Sequence, residues 1–232
     1  MPGNEDLFTP IHKALRSMLY GLSARLQTHD FTDLAATQAL VSDLETDFAV
    51  ARSAGCALCV MSQHANDEET AIFPATAKHA NELVSSLISE HHDLSKREAQ
   101  ITKDAHALLS MGSLEQRIAA GIRLNQATNA LLAAYLTHMN REEEELTPLM
   151  KRHFTDPEQL GMRGAIMARM PPERLAAVVG WMLPSLNVSE LSALLAPLRK
   201  AAPPPLVKMV EDLGTAKVDP ARWAEARSRA GF

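Results

Sequence analysis

The chain has 232 residues, of which 46% are hydrophobic, and carries a formal net charge of −5. This length and apolar content suffice for a buried core, in one domain or in one domain with an appendage. The acidic balance and the lack of a basic cluster argue against nucleic acid as a partner. No apolar run approaches the roughly 18 residues of a membrane span, and the N-terminus has no signal-peptide core. We therefore expect a cytoplasmic protein without a membrane partner.

The first elements along the chain are predicted to be helices, and since no alternating strand pattern is found, the whole chain is predicted to be all-α. Thr9-Pro10 predicts the start of the first helix, with Thr9 as the cap and Pro10 at the first helical position. The stretch from Asp30 to the next histidine motif is longer than a helix needs to return along the first one. The surplus predicts a short extra helix around Asp33–Leu44, with the second long helix starting near Ser42–Glu45.

One six-residue pattern occurs twice in the chain. HANDEE at 64–69 and HMNREE at 138–143 both read His-x3-Glu-Glu, and each has a proline ten residues after its histidine, Pro74 and Pro148. Composition alone predicts roughly 0.7 His-x3-Glu matches, so two copies with the same flanks exceed chance. On an α-helix, residues four apart lie on one face, so each copy can direct an imidazole and a carboxylate to one point.

A weaker repeat lies upstream of each copy. His12 and His91 each stand three residues before a leucine, Leu15 or Leu94, in an apolar-periodic stretch. The order His, His-x3-Glu, His, His-x3-Glu predicts two helical hairpins, which would pack as an antiparallel four-helix bundle with inward metal ligands. Ser113–Gln116 is typical of a capping box and is predicted to open the fourth helix.

The residue pattern of the fourth helix distinguishes a metal site from a solvated acidic face. Its apolar stripe runs from Leu114 to Leu149 and is interrupted by His138 and Glu142. A carboxylate on a buried stripe costs free energy unless it is paired or bound to metal. We therefore favour a metal site, with a metal-free helical interaction protein as the alternative. The predicted ligands are His12, His64, Glu68, His91, His138 and Glu142.

Four imidazoles and two carboxylates predict two metal ions bridged by the carboxylates. Mixed histidine and glutamate ligation suits iron, with manganese or zinc as competitors. A ferritin-type centre would need Glu-x-x-His on two helices, and that pattern occurs nowhere in the chain.

Several neighbouring residues have alternative interpretations. His91 is preferred to His92 as a ligand because it lies on the apolar stripe of its helix, whereas His92 falls about 100° away. Glu98, on the same stripe two turns beyond His91, is interpreted as a solvated or salt-bridged residue. Tyr135, one turn before His138, is either a core tyrosine whose hydroxyl bonds to a neighbouring helix or a group that reaches the metal pocket.

The remaining cysteines and histidines receive no site role. Cys56 and Cys59 form one Cys-x-x-Cys, interpreted as small hydrophobic residues of a reducing compartment in preference to a redox pair. No function is assigned to the four histidines near predicted helix ends or in loops, His29, His79, His106 and His153.

After Phe154 the chain changes in character. Proline clusters punctuate short helical segments, and Trp181 and Trp223 are predicted packing anchors. We predict a bundle at residues 8–154 and a helical appendage at 155–232, which covers one side of the bundle or makes a homodimer contact. The predicted segments are 157–170, 172–183, 188–201, 204–213 and 219–229, with helix starts at Asn187 and Asp219.

The motif order, together with the endings EETAIFP and EEEELTP, resembles the hemerythrin-like family, also called the HHE cation-binding domain, over about residues 8–154. The resemblance implies a di-iron four-helix bundle whose partner is a small ligand such as O2, peroxide or nitric oxide. By the family's pattern, one iron ion would be held by His12 and His64 and the other by His91 and His138, with Glu68 and Glu142 bridging them.

The chain departs from the oxygen-carrying members of that family. These have His-x3-His on the third helix, whereas Leu87 and Ser95 stand four residues from His91. They also have an aspartate five residues after the last histidine, where this chain has Glu143, an alternative bridge to Glu142. Fewer imidazoles imply more open coordination positions. The chain looks more like the subgroup linked to iron or oxygen sensing and to peroxide or nitric oxide handling than like a carrier.

Overall fold

The computed structural model describes residues 6–48 and 60–232, and within these ranges the regular structure is entirely helical. The predicted all-α class is therefore confirmed, whereas Cys56 and Cys59 lie outside the described residues. No helix in the two ranges is both long and apolar enough to cross a membrane. The helices are α1 (Thr9–Thr28), α2 (Leu34–Phe48), α3 (Val60–Ala71), α4 (Phe73–Leu109), α5 (Leu114–Arg141), a π-turn (Glu142–Leu146), α6 (Thr147–His153), α7 (Asp156–Ala168), α8 (Pro172–Ser185), α9 (Val188–Ala201), α10 (Pro204–Lys217) and α11 (Pro220–Ala230).

The first helix begins near the predicted position, but Thr9 is not its cap. Thr9 is already the first helical residue, and Pro10 occupies the first turn. The Asp6 carboxylate accepts the backbone hydrogens of Phe8 and Thr9, at 3.1 and 2.9 Å. A carboxylate is also favoured by the positive end of the helix dipole. Asp6 therefore caps the start of α1 in place of Thr9.

α2 differs from the predicted pair of helices around Ser42–Glu45. It begins after Asp33, whose carboxylate accepts the backbone hydrogen of Ala36 at 2.9 Å, and it continues to Phe48. The segment contains neither glycine nor proline, so no residue in it breaks the helix. The predicted extra helix is present, but the predicted second start is wrong.

The two repeated prolines have the same local position. Pro74 is the second residue of α4, directly after α3, and Pro148 is the second residue of α6, directly after the π-turn. Proline suits the first turn of a helix, because its φ is already helical and its missing amide hydrogen would have no intrahelical partner there. Each proline therefore opens a new helix just beyond a His-x3-Glu-Glu motif.

Two buried apolar clusters enclose the middle of the bundle. A cluster rich in leucine lies where α1, α2, α4 and α5 pack together, and a second one surrounds Phe8 and Phe73. The rings of His12 and His91 lie against Phe8 and Phe73, with centroids 5.7 and 5.6 Å apart. The two histidines are therefore held between apolar layers, where a polar group without a partner is costly.

The C-terminal helices α7 to α11 follow the predicted segments closely. Asn187 and Asp219 cap α9 and α11 through their side chains, as predicted. Trp223 is 5% exposed in a separate apolar cluster of these helices, whereas Trp181 is partly buried against the core of the bundle. α8 lies along α1 and thereby covers one side of the bundle. The division into two domains after residue 154 stays a prediction.

We expect Gly214→Ala to destabilise the C-terminal helices. A methyl group at Gly214 would overlap the buried indole ring of Trp223, and overpacking of this kind costs about 1 to 3 kcal/mol. Gly161→Ala in α7 is the matched control, because a Cβ there meets nothing within 4 Å and alanine favours a helix by about 0.5 to 1 kcal/mol. Thermal unfolding should give a lower Tm for the first variant only. An unchanged Tm for Gly214→Ala would contradict the packing described.

Candidate metal centre

The six predicted ligands converge at one point in the bundle, although they come from α1, α3, α4, α5 and the π-turn. Five of them are buried, and His64 is the most exposed at 12%. Among the described residues, their donor atoms form two groups, and within each group the atoms all lie within 4.8 Å of one another. Both carboxylates belong to both groups. The groups are His12, His64, Glu68 and Glu142, and Glu68, His91, His138 and Glu142.

The spacing of the donor atoms matches that of ligands around a common ion. Two atoms about 2.1 Å from one ion, at octahedral to tetrahedral angles, are about 3.0 to 3.4 Å apart. Each histidine Nε2 has a carboxylate oxygen at such a distance. These are Glu68 for His64 at 3.1 Å and for His91 at 3.3 Å, and Glu142 for His12 at 3.2 Å and for His138 at 3.3 Å.

Several polar atoms at this centre are buried without a hydrogen-bond partner in the described part of the chain. They are all four carboxylate oxygens of Glu68 and Glu142, and the Nε2 atoms of His91 and His138. Each such atom costs about 1 to 3 kcal/mol if it stays unpaired. Coordination to cations would satisfy all of them, since imidazole nitrogens and carboxylate oxygens are common ligands of iron, manganese and zinc. The residues therefore fit a pair of bound ions.

The opposite ring nitrogens are held by a second set of carboxylates. A carboxylate at Nδ1 accepts the ring hydrogen there, which leaves the lone pair of Nε2 free for a metal and fixes the plane of the ring. Three of the four histidines have this arrangement. The Nδ1 contacts are His12 with Glu143 at 2.9 Å, His91 with Glu69 at 2.9 Å and His138 with Glu90 at 2.8 Å.

Two arginines hold members of this second set from outside. Arg16 donates to Glu143 at 2.7 Å, and Arg141 donates to Glu90. Each guanidinium restricts the movement of its carboxylate and balances its charge. In both cases an arginine holds a glutamate that in turn holds a histidine of the centre.

Glu143, the alternative bridge to Glu142, has a different contact. It contacts Nδ1 of His12 and belongs to neither ligand group. Glu69, the corresponding residue of the first motif, contacts Nδ1 of His91. The second glutamate of each repeated motif is one residue, or about 100°, from the first, so the repeat itself contained the signal for this second position. Glu90 has no counterpart before His12.

The charges of the cluster shift the pKa values of its members in the metal-free protein. Burial would lower the pKa of His91, but the carboxylates of Glu68 and Glu142 outweigh it and raise the pKa to about 9. The pKa of His12 is likewise raised well above its usual value, against burial, chiefly by Glu142. Burial would raise the pKa of Glu68, but His64 and His12 bring it well below its usual range. Without metal, His12 and His91 therefore keep their protons to a higher pH than ordinary histidines.

We expect the metal-free protein to be most stable between about pH 4.5 and 6.5. The raised pKa of His91 stabilises the fold fully below its unfolded value of 6.5, and this is lost as the pH rises through about 9. The lowered pKa of Glu68 stabilises the fold above its unfolded value of 4.5, and this is lost as the pH falls. Urea unfolding at a series of pH values should show both declines, whereas a constant midpoint from pH 6 to pH 10 would contradict the assignment. Metal-loaded protein should decline less on the alkaline side, because ions replace the protons.

A pocket of about 190 Å³ opens beside the centre between α3, α4 and α5. His92 lines this pocket but is exposed and belongs to neither ligand group, in line with the preference for His91. Glu98 is buried rather than solvated, at 4% exposure, and accepts a hydrogen bond from the Tyr135 hydroxyl. The Tyr135 hydroxyl bonds to the neighbouring helix, in line with the core alternative, and its side chain also lines the pocket, so a role at the metal stays a prediction.

The centre consists of buried histidines and shared carboxylates inside a helical bundle. This combination is typical of the helical cation-binding proteins as a class. Residues 6–150 match the hemerythrin HHE cation-binding domain, and the chain belongs to this family. The match includes all six residues of the centre and ends before α7. Comparison with curated proteins and with solved structures gives no match.

Proposed function

We propose that the chain is a non-haem di-iron protein in which Glu68 and Glu142 bridge two ions. His12 and His64 would complete one site, and His91 and His138 the other. The observation that supports this most directly is the overlap of the two ligand groups in two carboxylates whose oxygens have no hydrogen-bond partner among the described residues. Mixed imidazole and carboxylate ligation suits iron, with manganese and zinc as competitors.

The proposed activity is binding of, or reaction with, a small molecule such as O2, peroxide or nitric oxide. Bound ferrous ions would supply electrons and open coordination positions for such a ligand. The protein would supply access and orientation. A pocket of about 190 Å³ beside the centre has room for a molecule of this size. The carboxylates at Nδ1 would keep the imidazole rings fixed while a ligand enters.

Metal content is the test of this proposal. Wild-type protein expressed with added iron should contain two iron ions per chain by elemental analysis. His64→Ala and His138→Ala should each reduce the content sharply, whereas His29→Ala should not, because His29 belongs to neither ligand group. Fewer than one equivalent of any transition metal in folded wild-type protein would contradict the proposal.

The alternative function is an iron or oxygen sensor, or an iron-binding regulatory module, without turnover. Two ion pairs favour it. Arg174 of α8 pairs with Asp67, adjacent to a proposed ligand on α3, and Lys13, adjacent to another on α1, pairs with Glu190 of α9. Movement of either helix at the centre would therefore act on the C-terminal helices.

Rapid mixing of the reduced protein with O2 or peroxide distinguishes the two functions. Turnover or a new absorption band indicates a reactive site. A ligand-dependent change in protease sensitivity near residues 155–175, without turnover, indicates a sensor. With either function we expect a cytoplasmic protein. We also propose that a homodimer, if formed, uses the C-terminal helices as its interface.

A further inference from the structure

Glu98 and Tyr135 form a buried pair that the proposed metal ligation does not use. They are 4% and 7% exposed, on α4 and α5, and the Tyr135 hydroxyl donates to Oε1 of Glu98. Neither belongs to a ligand group. A buried carboxylate costs free energy that an apolar residue at the same position would not. A role for the pair at the neighbouring metal centre would account for this cost.

Both residues line the same pocket as three histidines of the centre, His64, His91 and His138. Tyr135 stands three residues before His138, about 4.5 Å along the helix axis. A small molecule in the pocket would therefore be near both the histidines proposed to bind metal and the Glu98–Tyr135 pair.

The hydrogen bond within the pair determines what it can offer to such a molecule. The single hydrogen of the Tyr135 hydroxyl is directed to Glu98, so the phenol oxygen keeps its lone pairs and acts as an acceptor. Burial and the charge of Glu98 raise the pKa of Tyr135 well above its usual value, so the phenol stays protonated. An ionised carboxylate is also an acceptor only. The pair therefore complements a molecule that has hydrogen atoms to donate.

We propose that Glu98 and Tyr135 bind and orient a small hydrogen-bond-donating molecule of the hydroperoxide class beside the metal centre. Hydrogen peroxide has two O–H groups and fits the volume of the pocket. O2 and nitric oxide have no hydrogen to donate, so the pair offers them no corresponding contact. This inference rests on the proposed di-iron function, because it concerns which of the candidate ligands the centre receives.

Conservative variants of the iron-loaded protein test the pair. Tyr135→Phe removes only the hydroxyl, and Glu98→Gln keeps the shape but removes the charge. Iron content is measured first, by elemental analysis. The reduced proteins are then mixed rapidly with hydrogen peroxide over a range of concentrations, and separately with nitric oxide. The matched controls are Tyr20→Phe and Glu82→Gln, which alter exposed residues on α1 and α4.

We expect both pair variants to keep their iron and to need roughly tenfold more peroxide for half-maximal rate, the effect of one lost hydrogen bond. Their nitric oxide binding should match wild type. Equal losses for both ligands would overturn the proposal, because the pair would then only maintain the fold. Unchanged peroxide dependence, or wild-type protein that binds nitric oxide but not peroxide, would overturn it as well. Iron-free wild-type protein would instead be a failure of the di-iron function itself.

Discussion

Glu142→Ala is expected to reduce the iron content from two ions per chain to fewer than one. Glu142 belongs to both ligand groups, so its removal takes a ligand from each ion at once. His64 belongs to only one group, so His64→Ala should leave about one ion per chain. The ratio of iron to protein, from elemental analysis of purified variants, measures the difference. This stoichiometry separates a bridging carboxylate from a terminal ligand.

The control for this variant lies in the same π-turn. Glu144 is exposed, so Glu144→Ala changes the same residue type without touching the centre and should keep both ions. Glu142→Ala should fold, because the substitution removes a buried carboxylate rather than creating one. Circular dichroism checks this. If Glu142→Ala kept one tightly bound ion, Glu142 would be a terminal ligand and the proposed bridge would be wrong.

Arg174→Met is expected to lower the free energy of unfolding by about 3 to 5 kcal/mol. Arg174 and Asp67 are 4% and 6% exposed, and both Nη atoms of the arginine contact the carboxylate. Methionine has a comparable apolar length, but it would leave the Asp67 carboxylate buried and unpaired. Most of the loss is therefore the cost of the charge that remains. Urea unfolding of the metal-free protein measures it.

Two further variants test the cause. Lys208→Met breaks an exposed pair with Asp212 and should cost less than about 1 kcal/mol. Adding Asp67→Asn to Arg174→Met removes the unpaired charge and should restore a large part of the stability. A loss below about 1 kcal/mol for Arg174→Met would mean that water reaches Asp67 and that the pair does not fasten α8 to α3.

The two His-x3-Glu pairs could be predicted from the sequence because their signal is local, whereas His12 and His91 depended on the order of the repeat. A histidine and a glutamate four residues apart fix each other's direction within one helical turn, and the duplicated motif identified both pairs. The caps at Asn187 and Asp219 were equally local. The start near Ser42–Glu45 failed for the opposite reason, because a helix continues through polar residues when no glycine or proline ends it.

Contacts between helices could not be predicted in the same way. The pairing of Tyr135 with Glu98 depends on how far α4 is shifted along α5, and the spacing of residues within each helix does not contain that shift. The pairing of Arg174 with Asp67 depends in addition on where α8 rests on the bundle. In both cases a buried charged residue contacts a partner that is distant in sequence.

The contacts of the second glutamates have a consequence for the origin of the centre. Glu69 of α3 holds His91 of α4, and Glu143 of the π-turn holds His12 of α1, so each repeated half of the sequence holds a histidine of the other. This reciprocal exchange is the contact pattern of an isologous interface, in which two identical copies related by a twofold axis each supply the same residue to the other. One repeated half alone contains only one residue of each contact. The arrangement is therefore the one that a dimer of such halves would acquire once its two copies were joined in one chain.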